Sequence, residues 1–307
     1  KRKLDEIDYW LKIMGRPQGW HYDLDIVWIL SELEKAGIKK GDTILDAGGG
    51  LGITQFILAS RGYNVISLDF SKRKIPILSK GIFDIKIEDQ EGLDYEHNYM
   101  GSVDYKETNK TINNKGSSIV KSLYNFLFNK TLIQKSSIIN NFFKTRETLK
   151  LNRIEKEKNN SNYGSIKFLR ASFHDMPIAN GSVDALVSVS AIEHADKKLM
   201  LKNHSEMLRA VKKGGPLLIS TSATSNREDI FDEKTLGWCF SLDSLKKLDN
   251  DFDIDYDYKK VENDILKSKE WLNRLDSYYY SDPESVFYNK RMQTLPYLPV
   301  GIKIIKS

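Results

Sequence analysis

The stretch Ile44-Leu45-Asp46-Ala47-Gly48-Gly49-Gly50-Leu51-Gly52 decides how the rest of the chain is read. Residues 42–47 form a short apolar run that ends in glycines, and residues 51–60 follow with helical spacing at Ile53, Phe56, Ile57 and Ser60. Glycines at such a turn remove side chains, so backbone can approach a ligand closely, and the start of a helix offers amides without partners. A strand, a glycine loop and a helix therefore make a candidate binding loop. The same glycines also suit a tight turn with close helix–sheet packing.

Outward from the loop, strand-like runs alternate with helical patterns. Residues 64–68 read as a second strand and 72–80 as a short helix with Ser71 placed to cap it. Residues 166–169 and 183–189 read as the third and fourth strands. Residues 197–213 form a helix with Met200, His204, Met207, Leu208 and Val211 on one face, stopped by Gly214-Gly215. A fifth strand at 216–220, a helix at 241–248 and closing strands at 252–258 and 300–305 complete the series. Such alternation predicts right-handed crossovers and an α/β fold, a doubly wound, mostly parallel sheet.

One segment breaks the pattern. Residues 81–165 form a large insertion after the second β-α unit, and the other 222 residues suit one doubly wound domain. Between Asp104 and Tyr163 stand 12 Lys and Arg, 5 Asp and Glu, and 11 Asn. That segment carries a net charge of +7 and leaves the rest of the chain at −2, so the fold as a whole is no nucleic-acid surface. Ile119, Leu123, Phe126 and Leu127 are spaced to line one helix; Ile138, Ile139, Phe142, Phe143 and Leu149 are spaced to line another. Two amphipathic helices over a cleft would make a lid, an interaction segment or a peripheral membrane contact. A solvated elaboration fits the composition as well. The chain thus divides into 1–80, the 81–165 insertion, and 166–307.

Composition bounds the remaining choices. The chain has 307 residues, 40% hydrophobic and 29% charged, which is globular arithmetic. Its longest apolar runs, such as 26–30 and 216–219, fall far short of the ~20 residues that cross a bilayer. A single cysteine, Cys239, excludes intramolecular disulfides and suits a reducing cytoplasm; residues 1–6 show no signal-peptide core.

The glycine spacing separates two cofactor classes. A dinucleotide fingerprint needs a small residue three positions after the second glycine. Counted from Gly48 and Gly50, that position is Ile53, which fits poorly. The pattern acid-x-Gly-x-Gly-x-Gly is met by Asp46, Gly48, Gly50 and Gly52. Here the chain resembles the class I, seven-strand, Rossmann-like methyltransferases that use S-adenosylmethionine (SAM). The resemblance continues at Val65-Ile66-Ser67-Leu68-Asp69-Phe70, at Ala171-Ser172-Phe173-His174-Asp175-Met176-Pro177, at Ser190-Ala191-Ile192-Glu193-His194 and at Leu208-Arg209-Ala210-Val211-Lys212-Lys213-Gly214-Gly215.

The resemblance implies roles. Asp69 matches the acid that accepts from the ribose hydroxyls, and Phe70 the side chain that packs on adenine. Ser172 stands where the family has an acid for the adenine amine, a departure, and the Phe173 amide would serve the ring nitrogen. Ser190 belongs to the strand exit beside the donor. An N-terminal helix closes over the donor in small-molecule members, which makes Trp20 and Tyr22 candidates for substrate contact. Trp20 packed in the core, with Asp23 capping the helix, is the plainer reading of that stretch.

None of the five histidines, His21, His97, His174, His194 and His204, pairs at a metal spacing, and Ser190 stands where a further acid would be needed, so no metal is expected. His194 ends a central strand, where ligands bind in open α/β sheets. It is the first candidate for a catalytic base and His21 the second. The expected function is methyl transfer from SAM to a small molecule, an anionic one given the basic insertion: O-methylation of a carbohydrate or nucleotide-linked sugar. Tyr278-Tyr279-Tyr280 and Phe287-Tyr288 are candidates to stack on its rings. A SAM-binding scaffold without turnover and an NAD-dependent enzyme are the alternatives.

Overall fold

Aliphatic and β-branched residues buried on both faces make the central strands. The computed structural model describes residues 2–16, 20–72, 75–89, 132–158, 162–232, 237–248, 258–275, 289, 295 and 297–307, with side chains of the 132–157 helix from residue 145 on. In chain order the elements are α1 (Arg2–Met14), α2 (Tyr22–Lys35), β1 (Thr43–Ala47), α3 (Thr54–Ser60), β2 (Asn64–Asp69), β3 (Ile85–Asp89), α4 (Leu132–Glu157), β4 (Ile166–Arg170), β5 (Ala185–Val189), α5 (Met200–Ala210) and β6 (Pro216–Ala223). Then come β7 (Ile230–Asp232), β8 (Gly237–Cys239), α6 (Leu242–Lys246), α7 (Tyr258–Lys267), α8 (Lys269–Leu275) and β9 (Leu298–Ile305).

Seven strands form one sheet in the order β3-β4-β2-β1-β5-β6-β9. All neighbours are parallel except β9, which runs antiparallel to β6. β6 is buried along its whole length, whereas β9 alternates buried and exposed as an edge strand with one wet face does. One core, with Ile7, Trp10, Ile29, Phe56 and Phe168, fills the face under α1, α2 and α3. The other, with Leu45, Leu186, Met207, Leu217 and Phe240, fills the opposite face under α5 and α6. Helices on both faces make the sheet doubly wound, as predicted.

Several elements depart from the sequence reading. The edge strand β3 comes from inside the 81–165 span and pairs with β4, register Ile85 to Ile166. The described residues of the expected 72–80 helix, 72 and 75–80, are not α-helical. Pro76 is extended (φ −61°, ψ 131°) and only Ile77–Ser79 turns, as 3₁₀. Proline lacks an amide hydrogen and pushes the residue before it out of the helical region. Ser71 therefore caps nothing; its amide and hydroxyl turn back onto Asp69. Asp23 does not cap α2 either: its Oδ1 accepts only from the next amide, Leu24 N, and its Oδ2 pairs with Arg274 at 2.6 Å. Val211 leaves α5 in an extended conformation, and Gly214 (φ +79°) makes the turn beyond it. α1, the β7–β8 hairpin, α7 and α8 went unread. The expected strand 252–258, His97, the 119–127 stretch, Tyr278–Tyr280 and Phe287-Tyr288 lie outside the described residues, except Tyr258, which begins α7.

Candidate functional site

The glycine loop is built by close approach at the carboxyl end of β1. Gly48 N and Gly49 N both donate to the Leu68 carbonyl, at 2.7 and 3.2 Å, which ties the loop to β2. Gly48 has φ +79°, and a Cβ there would lie 2.2 Å from Ala191 Cβ and 2.8 Å from Phe173 Cζ. A Cβ on Gly49 would lie 2.1 Å from Ser67 Oγ. No larger residue fits either place without moving a neighbouring strand end. Gly50 N donates to Asp69 Oδ2 at 2.8 Å, and Ser71 N to Asp69 Oδ1 at 2.8 Å. These donors hold the Asp69 carboxylate against the loop. Asp46 is buried, and its Oδ2 accepts from Ser67 Oγ at 3.0 Å.

Four strand ends open on one cavity of about 550 Å³, within the size range of small-molecule sites. Asp46, Gly48, Gly50, Gly52, Asp69, Phe70, Ser172, Phe173, Ser190 and His194 all line it, and so does Tyr22. Eleven residues named from the sequence thus share one space, although they are scattered over more than 170 positions of chain. Ser190 holds the left-handed φ of +45°, and its Oγ is buried without a hydrogen-bond partner. Strain and an unpaired hydroxyl together at a strand exit mark a place shaped for something other than stability.

Two of the named residues are not brought to the cavity. His21 is 2% exposed, with Nδ1 2.7 Å from Asp25 Oδ2 and Nε2 2.9 Å from the Tyr297 hydroxyl. Both ring nitrogens are engaged in an internal network, so His21 is not placed to take a proton from a ligand. Trp20 is buried beside it and donates from Nε1 to the Tyr297 hydroxyl at 3.1 Å. This pair ties the start of α2 to Tyr297, the residue before β9, with Trp20 packed in the core.

His194 stands where β5 ends, in the 3₁₀ turn Ile192–His194. The β7–β8 hairpin backs it: a Cβ on Gly237 would lie 3.0 Å from His194 Cε1. Its neighbour Glu193 is buried and accepts from Thr221 Oγ1 at 2.9 Å. Burial pushes the Glu193 carboxyl up from the usual carboxylate range, against the charge of His194 and the hydrogen bond from Thr221. His174 lines the cavity with Nδ1 2.7 Å from Ser172 Oγ. Burial and the charge of Lys202 hold its pKa below the ordinary histidine value. Among the described residues no group of three or more His, Cys, Asp or Glu could hold a metal ion.

The sequence reading missed Arg16, Leu199 and Asn203 in the cavity wall. Arg16 follows α1, whose spacing of Ile7, Trp10, Ile13 and Met14 was the available signal; it donates to the Leu51 carbonyl at 2.5 Å. Asn203 was legible as a polar residue on the apolar face of α5.

Residues 145–219 match the family model described as "Methyltransferase domain". No curated protein matches the chain. Among solved structures, the chain is similar to phosphoethanolamine N-methyltransferase 2 of Haemonchus contortus, in complex with phosphomonomethylethanolamine and S-adenosylhomocysteine (15% identity, 98% of this chain, 56% of that one, TM-score 0.46). It is similar to geranyl diphosphate C-methyltransferase of Streptomyces coelicolor A3(2) (14% identity, 96% and 87%, TM-score 0.43). A third is a presumed methyltransferase from an antibiotic biosynthesis pathway of Anabaena variabilis ATCC 29413 (14% identity, 65% and 46%, TM-score 0.32). The chain spans about half the length of two of these, 56% and 46%. The seven-strand order, the acid-and-glycine loop opening on the cavity and the methyltransferase-domain match over residues 145–219 agree with the class I methyltransferase fold.

Proposed function

We propose that the chain methylates a hydroxyl of a small, anionic acceptor, a carbohydrate or nucleotide-linked sugar, with His194 as general base. The observation that carries this is His194 in the wall of the same cavity as the glycine loop, after the strand next to β1. SAM, when bound, supplies a sulfonium methyl group. Asp69 would hold the ribose hydroxyls, Phe70 and the Phe173 amide the adenine, and Asp46 with the glycines the amino-acid end. Side chains here mainly orient the reactants and exclude water; orientation alone supplies about 7–11 kcal/mol of a displacement barrier.

His194 would take the proton of the acceptor hydroxyl on a ring nitrogen while the oxygen gains the methyl carbon, the methyl–sulfur bond breaks and S-adenosylhomocysteine leaves. A positioned base contributes about 10²–10⁴-fold. The anionic character rests on the +7 segment between Asp104 and Tyr163. A cytoplasmic setting rests on the lone cysteine, Cys239, which is buried and whose thiol is pushed up to about 12 by that burial. No helix among the described residues is long and apolar enough to cross a membrane.

The test is a transfer assay that follows S-adenosylhomocysteine by mass spectrometry over a panel of sugars, sugar phosphates, nucleotide sugars and amines. His194→Ala should lower kcat by about 10²–10⁴ and leave SAM affinity nearly intact. Turnover with amines alone, or near-normal kcat in the variant, overturns the hydroxyl and base assignments. Tight SAM binding with no product on any acceptor favours a scaffold.

A further inference from the structure

The departure at Ser172 leaves a gap that a different element is placed to fill. Where the family resemblance calls for a carboxylate, this chain has a hydroxyl, and that hydroxyl already sits 2.7 Å from His174 Nδ1. The loop that carries it is stitched to α5. Glu206 Oε2 accepts from Met176 N at 3.2 Å, Arg209 Nη2 donates to the Met176 carbonyl at 2.9 Å, and Arg209 Nη1 donates to the Ile178 carbonyl at 2.6 Å. Residues three apart on a helix share a face one turn on. Asn203 therefore stands one turn before Glu206, toward the cavity, beside the Ser172–His174 part of the loop. Ser172, His174 and Asn203 all line the same cavity. The charge of Lys202 is felt at His174, an independent sign that this turn and this loop are close.

Asn203 is 4% exposed, and its Oδ1 is buried with no hydrogen-bond partner. A small void that it lines is otherwise mainly apolar, walled by Ile192, Met200, Met207, Ile219 and Leu248 together with His204. Buried carbonyl oxygens without partners are rare because losing water uncompensated is costly. An asparagine χ2 turns over a broad range, so the amide can bring its oxygen round to the cavity when a donor arrives there.

We propose that Asn203, in place of the carboxylate missing at 172, accepts the hydrogen bond of the adenine 6-amino group of the methyl donor; this rests on the SAM reading of the cavity. The amide carbonyl is neutral, so the contact is weaker than a carboxylate's, but it reads the same feature: an amine at position 6 and not an oxygen.

The experiment compares S-adenosylhomocysteine with S-inosylhomocysteine, which carries a 6-oxo group, by isothermal titration against wild type, Asn203→Leu, Asn203→Asp and Ser172→Ala. Wild type should prefer the adenosyl compound about tenfold or more. Asn203→Leu should lose roughly 5–10-fold of adenosyl affinity, with little change for the inosyl compound, so that the preference collapses. Asn203→Asp, which keeps an acceptor oxygen, should retain the preference; it and Asn203→Ala serve if the leucine variant does not fold. An unchanged preference in Asn203→Leu overturns the proposal, and so does a preference that collapses in Ser172→Ala alone. A change confined to the KM of the methyl acceptor also overturns it. Wild type that binds neither nucleoside overturns the SAM reading itself, and the proposal with it.

Discussion

At the residue scale, charged side chains at this site are set by backbone geometry as much as by each other. Asp69 accepts from the amides of Gly50 and Ser71, so its carboxylate is oriented before any ligand arrives. Asp69→Ala removes charge-assisted bonds of about 1.5–3 kcal/mol each and frees the Gly50 amide as well. SAM affinity by titration should fall more than about tenfold, with the far-ultraviolet circular dichroism unchanged. Glu193 presents the opposite case. Burial raises its pKa in the folded chain, so folding favours the neutral carboxyl. That contribution is present below the unfolded carboxylate value and is lost as pH rises through the raised one. Glu193→Gln keeps a neutral polar group there at every pH. The stability of the variant relative to wild type should therefore increase from about pH 4.5 upward, read from urea midpoints across pH. A flat difference would mean the carboxylate is as comfortable buried as it is in water.

At the element scale, a buried carboxylate clamps α1 to α4. Glu155 has a fully buried side chain that accepts from the Tyr9 and Tyr163 hydroxyls and from Lys158 Nζ at 2.6 Å. Burial would raise its pKa, but the bonds from Lys158, Tyr163 and Tyr9 outweigh it and hold the carboxyl below its usual value. Asn152, one turn earlier, donates to the Leu78 carbonyl at 2.5 Å. On its other side α1 is held by Arg61, which reaches Glu6 at 2.6 Å and Glu34 at 2.8 Å. Glu155→Ala leaves two hydroxyls and an ammonium without their common acceptor. It should cost about 2–3 kcal/mol and lower the Tm by roughly 5 °C. Arg16 follows α1 directly and lines the cavity, so the same variant should also weaken SAM binding, measured at a temperature where it is folded.

At the scale of the whole molecule, the 81–165 insertion cannot be treated as one removable block. Its amino end contributes β3 to the sheet edge, and its carboxyl end contributes α4 and the Glu155 clamp. Deleting 104–163 should therefore destabilise the fold well beyond the loss of a surface elaboration, as a drop in Tm shows. A deletion confined to 104–128 keeps both β3 and α4 and tests the lid. It should leave SAM binding intact and abolish transfer. In the intact chain, if the acceptor is anionic as proposed, rising salt should raise its KM and not that of SAM, because screening acts on exposed charges. Normal transfer by the short deletion removes the lid from consideration.

The sequence by itself determined the central strands and the glycine loop, because both are local, but not the edge strand β3. Strand and helix periodicities are short-range, and the spacing of Asp46, Gly48, Gly50 and Gly52 encodes a turn that only small residues can make. It did not determine which polar residues meet. His21 and His194 looked alike as candidate bases, yet α2 packing on β9 carried His21 into a network with Asp25 and Tyr297, while the end of β5 carried His194 into the cavity. Asn203 and Ser172 are 31 positions apart, and only the stitching of loop 171–178 to α5 brings both into the wall of one cavity. Pro76 interrupts the helix expected after the Ser71 cap. Tertiary structure decides such matters because burial and hydrogen-bond partners are properties of neighbours in space, and a chain's pattern specifies those neighbours only through the fold.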